Sequence, residues 1–105
     1  MRFCEQSQQT LFKWSAVLEA MAEAERSEEL GKASEISSIA SKGEDILSSY
    51  LVVIVNTFHQ FVVGNPMIEP QIKEDIDLVL NEIKQNYEIE EQEFGIRLTA
   101  KNTLH

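Results

Sequence analysis

The chain has 105 residues, 43% hydrophobic and 26% charged, and its nine Lys and Arg against eighteen Asp and Glu leave a formal charge of −9. This balance describes a single domain with one modest core and excludes a disordered chain. The acidic excess sets it against phosphate backbones and anionic lipid surfaces, so no direct nucleic-acid binding is expected, whereas a basic protein partner would be attracted.

Four glycines and two prolines are too few for a many-stranded fold, which needs frequent turns. Met1 to Thr10 carries Arg2 and then turns polar, without the apolar segment of a secretory leader or a lipid-attachment motif. Cys4 is the sole cysteine and permits no intrachain disulfide, which fits a reducing, cytoplasmic setting. Residues 1–5 are expected to fray.

Leu11, Trp14, Val17, Leu18 and Met21 recur at steps of three and four, with Lys13, Glu19 and Glu23 on other sides. The spacing predicts an amphipathic helix over about 6–26, with Trp14 as a core residue. Ile36, Ile39, Ala40, Gly43, Ile46 and Leu47 then carry an apolar stripe into the most apolar part of the chain, Ser48 to Gly64. Either one continuous or slightly kinked helix runs from about 28 to 63, or Ser41–Glu44 (SKGE) acts as a capping box and starts a fresh one. The stripe crosses the region without a phase jump, so the continuous helix is expected despite Gly43, which costs about 1 kcal/mol relative to Ala.

Within Ser48–Gly64 two apolar rows follow helical spacing. Ile46, Tyr50, Val53/Ile54, Thr57 and Phe61 form one; Leu47, Leu51, Val55, Phe58 and Val62 form the other. Ser49, Asn56, His59 and Gln60 make a narrow polar stripe. A buried strand over "YLVVIV" is the weaker reading, because neither period-two face is clean. The interspersed polar residues argue against a membrane span. A helix this apolar belongs at the centre of a bundle or in an interface. The Ile54 row is expected to be core, and part of the Leu51, Val55 and Val62 row to meet a partner.

Gly64 and Asn65-Pro66 then break the chain, and Pro70 opens a further amphipathic helix of about 69–88, with Ile72, Ile76, Val79, Leu80 and Ile83 on its apolar side. The tail reads two ways. Phe94 and Leu98 could extend that helix, whereas Ile96, Leu98 and Ala100 alternate like a short strand with a break at Gly95. Residues 101–105 are expected to fray.

Motifs for chemistry are sparse. The glycines at 31, 43, 64 and 95 build no phosphate loop, and the two histidines, His59 and His105, form no Glu-x-x-His pair. No cofactor, metal ligand or catalytic residue is assigned. His59 reads as a hydrogen-bonded helix residue, and Cys4 has no base near it in sequence. Glu88, Glu90, Glu91 and Glu93 are a solvated face that could dock Lys and Arg of a partner.

The expectation is therefore all-α: one helical domain over 1–105, built as a small bundle of three or four mainly antiparallel helices with one long, largely buried central helix. It is expected to be a non-enzymatic protein-binding module that sequesters, inhibits or chaperones a partner with a basic patch, in the manner of immunity proteins, inhibitors or secretion chaperones. Its candidate contact residues are Leu51, Val55, Val62, Glu88, Glu90, Glu91 and Glu93, and a homodimer or hetero-complex is expected. Alternatives are a ligand-binding or enzymatic bundle with a site between subunits around His59 and Asn56, and a nucleic-acid mimic occupying a basic cleft.

Overall fold

A computed structural model describes residues 1–93 and 95–101. It is 69% helical, with four helices and a small antiparallel sheet. The elements are α1 (Glu5–Glu25), α2 (Glu28–Ser41), α3 (Ser48–Gly64), α4 (Pro70–Asn86), β1 (Tyr87–Gln92) and β2 (Gly95–Ala100).

Each join has a local cause. Arg26 ends α1 in the left-handed conformation (φ 52°, ψ 44°), with Ser27 already capping α2 by accepting the Leu30 N–H at 3.2 Å. So tight a turn folds α2 back along α1, and the Ser34 hydroxyl donates to the Ser15 carbonyl at 2.7 Å midway down the pair. Pro70 occupies the first turn of α4, where its missing N–H leaves no helical bond unmade.

Long-range contacts set the directions. Trp14 meets Phe58 and Phe61 while the Ile46 N–H reaches the Met1 carbonyl at 2.8 Å, so α3 runs parallel to α1. Lys13 pairs with Asp75 and Ser7 with Glu82, so α4 runs antiparallel to α1. The result is an up-down-up-down bundle of four mainly antiparallel helices, as expected.

The central helix is α3, Ser48–Gly64, but the continuous helix over about 28–63 is not formed. α2 stops at Ser41, the chain leaves helical geometry over 42–47, and α3 restarts at Ser48 with Leu47 at its N-cap. Gly43 takes φ +79°, a conformation that selects glycine, and a Cβ there would meet the Gln8 amide nitrogen at 3.2 Å. Ile46 still reaches the core at 2% exposure, which is why the apolar stripe keeps its phase although the helix does not. The longest helix is α1, at 21 residues. SKGE caps nothing: Ser41 is the last residue of α2, and its hydroxyl donates to the Ser38 carbonyl.

The tail adopts the strand alternative. β1 and β2 pair antiparallel, with Ile89 opposite Leu98 and Glu90 opposite Arg97. Tyr87, Ile89, Ile96 and Leu98 lie half-buried against the core, and β2 packs beside α3. A hairpin alone is marginal in water; this one is held by its apolar face. Of the residues 101–105 expected to fray, Lys101 donates its N–H to the Asn86 carbonyl at 3.0 Å, and 102–105, like Phe94, lie outside the described residues.

The first residues are tied to the bundle. Phe3 is buried in the core at 3% exposure. The Cys4 N–H and the Ser7 hydroxyl donate to the two carboxylate oxygens of Glu82 at 2.7 and 2.6 Å, so α4 supplies the cap that α1 lacks in its own sequence. Glu82→Ala leaves the exposed Cys4 N–H to water and the buried Ser7 hydroxyl without its acceptor, and removes an anion from a helix N-terminus. A loss of about 1–2 kcal/mol is expected, read as a lower urea midpoint at unchanged m-value. An unaltered midpoint would show that this capping contributes nothing.

Candidate functional site

The side chains assigned from sequence to partner contact separate into two groups. Leu51 is 0% exposed and Val55 3%, both within the intramolecular core beside Ile54 and Phe58. Val62 is half-buried against that core. No accessible apolar row runs along Leu51, Val55 and Val62, because α1, α2, α4 and the hairpin cover that side of α3; counting only helices as cover leaves the hairpin out.

The acidic group is divided by strand geometry. Glu88 and Glu90 alternate with half-buried Tyr87 and Ile89, which places them on the outer face of β1. Glu91 shares the inner face, and its Oε1 lies 3.2 Å from Nε2 of His59 on α3. Glu93 sits in the turn. His59 thus ties the polar stripe of α3 to the hairpin, although both side chains remain largely open to water, where such pairs contribute little.

Other groups with chemical potential have structural duties. The Glu82 carboxylate caps α1, and the Cys4 thiol, which is exposed, lies 3.7 Å from the Ser7 hydroxyl. Asp45 accepts from the Met1 amino group at 2.5 Å, and that hydrogen-bonded cation holds the Asp45 carboxyl below its usual value. Among the described residues no group of three or more His, Cys, Asp and Glu is placed to hold a metal ion, and no helix is long and apolar enough to cross a membrane.

The feature that sequence reasoning missed lies where α2 ends and α3 begins. A groove of about 580 Å³ opens there, floored by Ile36 and Ile46 and walled by Ile39, Leu47, Tyr50 and Val53, with Lys32, Glu35, Asp45 and Ser49 also lining it. Ile39 is 42% exposed, Tyr50 50% and Leu47 61%, so three large apolar or aromatic side chains meet water in one place. Single exposed apolar residues are ordinary on a protein surface; a concave group rimmed by charge is the form of an interaction site.

Its cause is local. The 42–47 link turns Ile46 inward and leaves its neighbour Leu47 outside at the N-cap of α3. One turn further on, Tyr50 faces the same groove and is 50% exposed. The sequence signal was the Gly43 interruption itself, which lets α3 fold back beside α2 and so creates the junction.

No family model matches the chain, and neither a curated protein nor a solved structure matches it.

Proposed function

We propose that this protein is a non-enzymatic binding module that holds another protein at the α2–α3 groove and so sequesters, inhibits or chaperones it. The observation that carries this reading is the concave exposure of Ile39, Leu47 and Tyr50. Covering such side chains removes apolar area from water at about 25 cal/mol per Å², and an aromatic anchor such as Tyr50 is the residue type in which binding energy concentrates.

The charge of −9 supports a basic partner and disfavours a homodimer, because two identical acidic surfaces repel while a cationic one is steered inward. The complex is therefore a hetero-complex.

Leu47→Ser tests the reading cleanly. Leu47 occupies the N-cap of α3 without a side-chain cap, a position where Ser is favoured, so the variant keeps its fold while losing the apolar wall. In affinity capture from the native source, the wild-type chain is expected to recover a basic protein, less of it as salt rises. Leu47→Ser is expected to recover about tenfold less at unchanged helicity. Equal recovery by both chains would remove the groove from the function.

A further inference from the structure

A second groove, of about 730 Å³, adjoins the first. It lies between α1 and α2 and is lined by Glu19, Glu23, Glu28 and Glu35 together with the small residues Ser15, Gly31, Ser34 and Ser38. Lys32 and Glu35 line both grooves, so the α2 ridge is their common wall. Glu19, Glu23, Glu28 and Glu35 make no ion pair with any described residue. An apolar trough and an acidic trough thus lie side by side, one helix apart.

Resting on the binding reading above, we propose that this double surface docks one cationic amphipathic helix of a partner protein. Its apolar stripe would lie on Ile39, Leu47, Tyr50 and Val53, and its adjoining Lys and Arg row would cross α2 to Glu19, Glu23, Glu28 and Glu35. Packed helices stand about 8–10 Å apart, a helix with its side chains is about 10–12 Å across, and Lys and Arg keep their heads in water while their stems span apolar surface. A helix rather than a strand is chosen because the trough runs between two helices and offers no open strand edge. A second copy of this chain is the wrong ligand: at −9 it would bring more carboxylates to the acidic trough.

Lys32 is the exception within the surface, a cation placed where the ligand's cations must pass. It would cost affinity for such a helix, and its removal would restore it. This gives the proposal a gain-of-function test that misfolding cannot imitate.

The experiment uses the full chain and a fluorescent synthetic peptide of roughly 18 residues, long enough to form a helix on docking, with a Leu stripe beside a Lys row. One control has the same composition in scrambled order; another keeps the stripe with Glu in place of Lys. The striped cationic peptide is expected to bind with Kd in the micromolar range, about tenfold or more tighter than the scrambled one, and the Glu peptide not to saturate. Leu47→Ser is expected to weaken binding about tenfold. The pair Glu23→Gln and Glu28→Gln weakens it several-fold and flattens its salt dependence, and Lys32→Gln tightens it a few-fold.

Equal affinity for striped and scrambled peptides, or no effect of Lys32→Gln and of the Glu pair, would overturn the proposal. So would a dimeric light-scattering mass for the free chain that reverts to monomer in Leu47→Ser, since the groove would then belong to a second copy. If a natural partner is captured in a Leu47-dependent way while no striped cationic peptide binds, the binding-module reading stands and the cationic helix falls.

Discussion

Ile54→Asp is expected to leave the chain unfolded. Ile54 is 1% exposed on α3, packed within the cluster that includes Leu51, Val55 and Phe58. No water reaches the site and no cation lies in that cluster, so an aspartate there must bury an unpaired charge or take up a proton, at a cost of several kcal/mol in either case. A domain of this size has a total stability of about 5–15 kcal/mol, and the loss of the isoleucine packing adds to the cost. The far-ultraviolet helical signal should collapse and the emission of Trp14 should shift to that of a solvated indole. Val55→Asp meets the same fate, since Val55 is 3% exposed. A soluble, folded monomer from either variant would place that row at an interface after all. The contrast is Leu47→Ser, three residues ahead of Tyr50 and outside the core, which should keep the wild-type spectrum.

The contrast between Leu47 and Val55 also shows what was legible in the sequence. α1 and α4 were readable almost to their ends, because each carries a single apolar stripe with charge opposite, and in α4 a proline marks the start. α3 carries apolar residues around most of its circumference, so periodicity could place it at the centre of the bundle but could not say which side was covered. That depends on neighbours distant in sequence. The break at 42–47 was hidden for a similar reason. Ile46 keeps the phase of the stripe because the core requires it, whereas the backbone around it is settled by the bond to Met1 and the left-handed turn at Gly43.

The hairpin was visible as alternation in Ile96, Leu98 and Ala100, but its partner strand follows directly on a helix and carries three glutamates and one isoleucine in its six positions. Only pairing with β2 and packing on α3 give Ile89 a reason to be extended. The candidate site was the least legible of all. It is built from apolar residues of two helices that meet only because the chain turns at 42–47, and the acidic trough beside it draws its carboxylates from two helices, Glu19 and Glu23 from α1 and Glu28 and Glu35 from α2. No local pattern joins them.

Phe58→Ala carries the second large effect and separates folding from docking. Phe58 is 1% exposed, and its ring meets Trp14 edge-on at a centroid distance of 5.4 Å and 69°. Phe61 approaches the same indole at 5.2 Å and 80°, but is only half-buried. Truncating a fully buried phenylalanine costs about 3–5 kcal/mol through lost transfer and an unfilled cavity, of which the aromatic pair supplies about 0.5–1.5. Phe61→Ala should cost less, because part of its surface is already in water. Urea unfolding is expected to order the midpoints as wild type, Phe61→Ala, Phe58→Ala, with the near-ultraviolet dichroism of Trp14 weakened in both variants. The reverse order would mean that Phe61, not Phe58, anchors α3 to α1. Neither residue lines the α2–α3 groove. In conditions where Phe58→Ala is still folded, its affinity for the striped cationic peptide should therefore equal that of the wild type. A proportional loss of affinity and stability would instead tie the groove to the packing of the whole bundle, and the docking surface would then be a property of the core rather than of the α2–α3 junction.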